Sequence, residues 1–477
     1  MSIPITGAGG RRAESFFRRP PRDGGSAADR ATDRPSARTG VPRGAISLSV
    51  TGVLLIAVVA AGAPNDHTID AAIPLLHLPA LAGPASTYLT LAAYGAQGLG
   101  LIGMLAALRR GWRPRPRVMF AAGTAAACLL TLATPVGSAD MASYAAYGRI
   151  ASLGLDPYQV VPAQIGGHYA HLVSSIWVRT ASVYGPVATF VQRLAAGIGG
   201  DRVMVTIGLL MAANAAAYVA TGVILVKAAG DRSRAALLWA ANPLLLALLV
   251  GGGHLDTYVA FFGVCAVVLA SRPQDWQGEA LIGALLGLAC GVKISAALLV
   301  LGLSLPLLRA RCWNRLLTRS LVCLAVLVLL YAPVGFHAFA PLGGASHLVS
   351  TPSFWQLVQI IGHALIGPSA TASLISAAWP LVMVAAALLL LRHRSNPEPL
   401  PRLDRPRWET PRWEQSRYAH ALSLGWNLAA PWCMPWYTAM TWPLTALLPR
   451  SRTDYLLVVL TTTLALMHNT GGHGWSW

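Results

Sequence analysis

The side chains best able to do chemistry stand at the ends of long apolar runs. Asp140 follows the third such run and opens the segment Asp140-Met-Ala-Ser-Tyr144-Ala-Ala-Tyr147-Gly-Arg149. A carboxylate at the edge of apolar surroundings is partly dehydrated, which raises its pKa and makes it a better proton acceptor. A structural role is available to the same residue, because Asp140 at the head of a helix over 141–152 would cap the first amides. The two roles are compatible. Tyr144 and Tyr147 follow on helical spacing and share a face, where an aromatic ring can stack on a sugar or simply sit at a membrane interface.

Further along, Asp156-Pro157-Tyr158 has the form of a turn, and Tyr184-Gly185-Pro186 opens another apolar stretch. Between them, His168 and His171 form a His-x-x-His pair with no carboxylate or third histidine beside it, so they read as surface histidines. Gly251-Gly252-Gly253-His254-Leu255-Asp256 places an imidazole and a carboxylate at the outer end of an apolar run, among flexible glycines. Ionisable residues at such depth point to function, while a tight hairpin with Asp256 as a cap is the plainer account. Lys293 lies inside the run 281–308 and needs a phosphate or a carboxylate as partner, or must reach an interface. Pro431-Trp432-Cys433-Met434-Pro435-Trp436-Tyr437 breaks another run, and His468, Asn469 and His473 follow near the C-terminus.

The elements that must position these residues follow from composition. The 477 residues are 55% hydrophobic and only 11% charged, against about 25% charged in soluble proteins. This excludes a soluble multidomain chain, a disordered chain and a disulfide-stapled secreted one, and leaves an all-α, polytopic membrane protein. The six cysteines form no C-x-x-C pair and read as small core residues. The net charge of +18 comes largely from arginines in short segments between apolar runs, with no basic stripe of the kind that binds nucleic acid.

A span needs roughly 20 apolar residues. Candidates cover about 46–62, 88–108, 118–135, 203–226, 235–251, 255–270, 281–308, 320–338, 371–391, 418–447 and 454–468. Of these, 281–308 and 418–447 are broken helices or hairpins, which gives about 11–13 spans. Residues 1–45 carry nine arginines and no apolar periodicity, and read as a disordered basic cytoplasmic tail ahead of one membrane domain over 46–477. The clusters around Arg109–Arg117, Arg309–Arg319 and Arg392–Arg417 belong on the cytoplasmic side with that tail. Segments 63–87, 136–202, 252–254, 339–370 and 431–436 then face the outside. The long loop 136–202 carries Tyr, Trp and apolar residues throughout and is expected to fold onto the membrane surface.

Taken in order, Asp140…Tyr144…Gly148-Arg149…Gly154…Asp156-Pro157-Tyr158, Tyr184-Gly185-Pro186, Asn242-Pro243…Gly252-Gly253-His254-Leu255-Asp256, Gly291-Val292-Lys293 and Pro435-Trp436-Tyr437 resemble the integral-membrane glycosyltransferases of the C-fold superfamily. The nearest likeness is to actinobacterial polyprenol-phosphate-mannose-dependent α-mannosyltransferases, and it covers about residues 130–450. The resemblance implies an active site on the extracytoplasmic face of the cell membrane and a polyprenyl-phosphate sugar donor embedded in membrane lipid. It also implies inverting transfer of a hexosyl, specifically mannosyl, group to a cell-envelope glycan or glycolipid. It places the base in the first large outer loop, where Asp140 matches and Asp66 and Asp70 are rivals. This chain has His254-Leu255-Asp256 where relatives often carry His-Asn-Asp.

Such chemistry fits the residue types. Inversion needs one base for the acceptor hydroxyl, and a phosphate departs without an acid if cations hold it. Arg149, Lys293 and His254 are the candidates to hold the donor phosphate. Tyr144, Tyr147, Asp156, Tyr158, Tyr184, Asp256, Trp436 and Tyr437 are candidates to contact the substrates. No cofactor and no metal site is expected. A transporter or lipid flippase is the alternative, since it too would have broken helices and a buried lysine, but it would carry ionisable groups near mid-membrane on several helices rather than at one end.

Overall fold

The computed structural model describes residues 40–63, 75–76, 78–272, 274–345, 348–350, 353–393 and 414–468. Most of the N-terminal tail, together with Asp66, Asp70, Asn469 and His473, lies outside these residues. Every regular element among them is a helix. In chain order the main helices are α1 (Arg43–Ala61), α2 (Gly83–Arg109), α3 (Pro116–Thr131), α4 (Asp140–Ser152), α5 (Pro186–Gly199), α6 (Val203–Ala228), α7 (Arg232–Gly251) and α8 (Asp256–Ala270). They continue as α9 (Trp276–Val292), α10 (Ala297–Arg309), α11 (Trp313–Tyr331), α12 (Phe354–Ile366), α13 (Pro368–His393), α14 (Glu414–Ala429), α15 (Thr441–Leu447) and α16 (Thr453–Met467). Six of the described helices are long and apolar enough to cross a membrane, and six more are apolar but only 10–17 residues long.

The helix starts are written locally. Prolines in the first turn of α2, α3 and α5 use positions whose amides have no partner within the helix. Asp231 accepts from the Arg234 amide, Asp275 from Gly278 and Ser353 from Gln356. The outward faces carry leucine and valine: Leu54 and Val58 on α1, and Leu317, Leu321, Leu324 and Val328 on α11, are exposed. A contiguous apolar exterior of this kind suits a lipid solvent.

Two apolar cores organise the chain. One joins α1, α2, α3, α7 and α16; the other joins α4, α5, α6, α8, α9 and α10. Helix α7 is interrupted. Asn242 accepts from the amides of Leu244 and Leu245, and the chain then widens into a π-helical turn over Leu246–Gly251. Such turns arise where a function or a side chain displaces the regular ladder.

Both awkward apolar runs are broken. Run 281–308 stops at Lys293, whose backbone is extended at φ −153°, and restarts as α10. Run 418–447 divides into α14 and α15, joined by a 3₁₀ turn over Pro435–Met440. Loop 136–202 is folded, with α4 and α5 packed on each other and on α6.

Asp256 begins α8, which rises about 22 Å over its 15 residues before the chain turns into α9. The two ends of the bundle therefore differ. At the Arg-rich end, Arg319 pairs with Glu279 at 2.7 Å and also donates to the Leu303 carbonyl and Gln415. Arg315 adds a second contact to Glu279 at 2.6 Å. Arg234 makes a two-pronged pair with Asp454 at 2.8 and 3.0 Å, and donates to the carbonyls of Thr445 and Leu448. All but Arg315 are buried yet fully engaged, so they tie α7 to α16 and α9 to α11.

Removing one partner of a buried pair leaves the other charge without compensation and costs about 3–5 kcal/mol. Asp454→Ala is expected to lower the thermal unfolding temperature of the detergent-solubilised protein markedly. Unchanged unfolding would show that the Arg234 carbonyl contacts suffice on their own.

Candidate active site

At the other end of the bundle, five distant stretches of chain meet. Asp140 is the first residue of α4. The helix is preceded by Ala139, and no side chain caps it. The expected capping role is therefore not taken; instead the Asp140 amide donates to Ser138 Oγ at 3.0 Å, and the carboxylate faces inward. Tyr144, one turn later, donates its hydroxyl to Asp140 Oδ2 at 3.3 Å. Nδ1 of His254 stands 3.4 Å from the same oxygen and, buried, has no hydrogen-bond partner of its own.

His254 is brought there by the reversal between the π-helical turn and α8. Gly253 has φ +67°, and a Cβ on it would lie 2.1 Å from Met141 Cε and 2.7 Å from Met211 Sδ. The left-handed conformation favours glycine, and the ends of the Met141 and Met211 side chains fill the space beside it. The imidazole lies flat on Trp436, with ring centroids 3.7 Å apart.

Two residues on, Asp256 makes a different pair. Its oxygens accept from Lys293 Nζ at 3.0 and 3.1 Å. The ammonium also sits 3.7 Å from the centre of the Tyr437 ring, a cation–π contact. Tyr437 is stacked in turn on Trp426. Lys293 is delivered by the break between α9 and α10, and that break is gripped by the outer loop: the Gly185 amide donates to the Val292 carbonyl at 3.0 Å. A Cβ on Gly185 would lie 2.2 Å from the Gly291 carbonyl oxygen. Tyr184 thus comes to rest edge-on against Tyr144, 5.0 Å between centroids.

The arrangement leaves a partly open mouth. The Asp140 side chain is 20% exposed and that of Lys293 14%, and Tyr184 and Tyr437 are likewise half-buried. Tyr144, Tyr147, His254 and Trp436 are buried behind them. Trp436 therefore backs the imidazole and has no free face for a sugar, and Tyr147 donates to the Thr180 carbonyl.

Three expected contributors stand elsewhere. Arg149 pairs with Asp201 and lies over the Tyr169 ring, 5.8 Å from its centre. Nine residues at about 100° each put it on the face of α4 opposite Asp140. Asp156 receives the Tyr158 amide at 2.8 Å, Gln159 at 3.0 Å and His337 at 2.6 Å. Tyr158 bonds Thr189. Among the described residues no group of three or more His, Cys, Asp or Glu stands together as a metal site; His168 and His171 lie on a short helix over Gly167–His171.

Asp140 also differs from the sequence expectation in its titration. Burial pushes its carboxyl up, but the bond and charge of His254, the charge of Lys293 and the Tyr144 hydroxyl outweigh it and hold it below the ordinary value of 3.8. The group is therefore a carboxylate across the neutral range: a weaker base than an apolar pocket would make, but always in the proton-accepting form. Residues that sequence reasoning did not single out include Ser138, Met211, Asn214 and Trp426. Each is an ordinary-looking residue in an apolar or capping context, so nothing in its spacing marks it.

Comparisons with known proteins find relatives among mannosyltransferases. A family model described as alpha-(1->6)-mannopyranosyltransferase, N-terminal domain, matches residues 46–309, more than half of the chain. Alpha-(1->6)-mannopyranosyltransferase A of Mycobacterium tuberculosis is 26% identical over 387 residues, covering 73% of this chain and 69% of the relative. Alpha-(1->6)-mannopyranosyltransferase B of Corynebacterium glutamicum is 28% identical over 183 residues, 35% of this chain and 30% of the relative. A probable alpha-(1->6)-mannopyranosyltransferase of Mycolicibacterium smegmatis is 30% identical over 171 residues, 31% of this chain and 30% of the relative. No solved structure matches the chain.

Because His254 is a principal cause of the lowered Asp140 value, His254→Ala should raise it. The carboxyl stretch of protonated Asp140, followed by infrared difference spectroscopy as pH falls, is expected to appear at higher pH in the variant. Coincident titrations would separate His254 from Asp140.

Proposed function

The chain belongs to the alpha-(1->6)-mannopyranosyltransferase family, and on that premise we propose that it is an inverting mannosyltransferase that uses a polyprenyl-phosphate mannose donor. The acceptor is a cell-envelope glycan or glycolipid, and transfer takes place on the extracytoplasmic side. One observation carries the reading: a partly exposed carboxylate, Asp140, faces the same mouth as a partly exposed ammonium, Lys293, with no second free acid beside them among the described residues.

The chemistry follows from that pair. The acceptor hydroxyl attacks the anomeric carbon as its proton passes to Asp140. The bond from that carbon to the phosphate oxygen breaks, and its electron pair leaves with the phosphate. The phosphodiester of the donor becomes a monoester with one more negative charge, and stabilising charge that develops in the transition state is what accelerates the step. Lys293 is the cation placed to do so. Asp256 holds the ammonium ready and Tyr437 faces it, so a bound phosphate would join a site already oriented. His254 steadies the Asp140 carboxylate, and Tyr184 and Tyr437 offer partly open aromatic edges to a sugar ring. A donor anchored in lipid also accounts for a catalytic mouth at one end of a helical bundle.

Side of action is testable independently. With the exposed Cys128 replaced by Ser, a membrane-impermeant maleimide should label Ile176→Cys in intact cells and Gln277→Cys only after permeabilisation. Both side chains are exposed, at opposite ends of the bundle. The reverse pattern would put the mouth in the cytoplasm.

Catalysis is tested at Asp140. Asp140→Asn keeps size and polarity but cannot take a proton, so transfer should fall by roughly 10²–10⁴-fold while labelled donor still binds. Lys293→Gln should weaken donor binding. Near-normal transfer by a folded Asp140→Asn protein would refute the assignment.

A further inference from the structure

The reversal that carries both His254 and Asp256 is held from behind by one buried amide. Asn214, on α6, is 1% exposed. Its Nδ2 donates to the His254 carbonyl at 2.6 Å, and its Oδ1 accepts from Thr257 Oγ1 at 3.3 Å. The two contacts bracket Leu255 and Asp256. Met211, one turn earlier on the same helix, occupies the space a Cβ at Gly253 would need. So α6 fixes the segment at three successive points, of which only the Asn214 contacts are directional.

An unpaired amide in an apolar helix is costly, yet the Asn214 side chain touches neither Asp140 nor Lys293. The His254 carbonyl also accepts from the Thr257 amide at 3.2 Å, so it would remain satisfied without Asn214. The amide is therefore not needed to solve a backbone problem. It adds direction to the backbone at His254, the residue whose ring stands 3.4 Å from Asp140.

We propose that Asn214 is a positioning residue for the transfer reaction, acting through the His254 backbone to hold the imidazole against the Asp140 carboxylate. The proposal rests on the reading of Asp140 as the base, and extends it to a residue on a different helix. Misplacing a catalytic constellation by about 1 Å costs on the order of 10²-fold in rate, and loosening one anchor of two should cost part of that.

Asn214→Leu is the informative change, because leucine has the same number and branching of heavy atoms as asparagine and suits a membrane helix. Thr257→Val deletes the partner hydroxyl without changing shape. Both are expected to lower kcat, Asn214→Leu by about tenfold or more, with a smaller change in the KM for donor. Both should also move the Asp140 carboxyl titration, read by infrared difference spectroscopy without substrate, to higher pH. The other groups facing Asp140 are Lys293, Tyr144, Tyr147, Tyr184 and Tyr437; none is a contact of Asn214, so the shift reports on His254. A combined variant should lose little more than Asn214→Leu alone, since the Thr257 hydroxyl acts through its hydrogen bond to Asn214. If Asn214→Leu folds and titrates like wild type, the proposal is overturned, and so it is if activity falls only in step with folded protein. Should Asp140→Asn prove active while Asn214→Leu still shifts the titration, the catalytic reading fails but the positioning contact stands.

Discussion

His254 and Asp256 are two residues apart at a chain reversal, yet each faces a different opposite number: the imidazole meets Asp140, and the carboxylate meets Lys293. This divergence requires a tight turn, a left-handed Gly253 and a helix that begins at Asp256. Every neighbouring element is shaped around it. Helix α4 must start at Asp140, the α9–α10 junction must break at Lys293, and the 3₁₀ turn must supply Trp436 behind the imidazole and Tyr437 under the ammonium. The π-helical turn that ends α7 absorbs the geometry on the other side.

The charges of the bundle divide into two kinds. Arg234, Arg319, Glu279 and Asp454 are buried and saturated with partners, at the end where the arginine-rich connections gather. They tie helices together and have nothing left to offer a ligand. Asp140 and Lys293 are partly open and paired with room to spare. A buried pair is weak evidence for stability in general, but an open one beside aromatic rings can exchange its partner for a ligand without first being desolvated. Structural and chemical electrostatics are thus separated by the thickness of the bundle, which is how one apolar scaffold tolerates both.

Much of this was legible in the residues themselves. An ionisable side chain at the end of an apolar run is conspicuous, which is why Asp140, His254, Asp256 and Lys293 stand out, and a lysine or a proline pair inside a long run marks a break. Pairings are less visible because they join residues 37 to 114 positions apart, and spacing carries no information at that range. Arg149 shows the difference between proximity in sequence and in space: it lies on the same short helix as Asp140 but on its far side, where Asp201 takes it. Trp436, a candidate substrate contact in the sequence, is buried against the His254 ring. Asp140 is expected to be raised by dehydration; Tyr144 on its own helix, with His254 and Lys293 from distant breaks in the chain, reverses the sign. Asn214 is the clearest case of a residue that sequence hides, since one amide in an apolar helix has the same appearance whether idle or engaged.

The central claim is that Asp140 removes a proton and does nothing else that transfer needs. Azide tests this directly, because it is a nucleophile with no proton to lose. In Asp140→Ala membranes supplied with the polyprenyl-phosphate mannose donor, added azide should yield mannosyl azide of the anomeric configuration opposite to the donor, while transfer to the hydroxyl acceptor stays low. Failure to form the azide in a folded variant that still binds donor would contradict the account, and an azide of retained configuration would contradict its single-displacement chemistry.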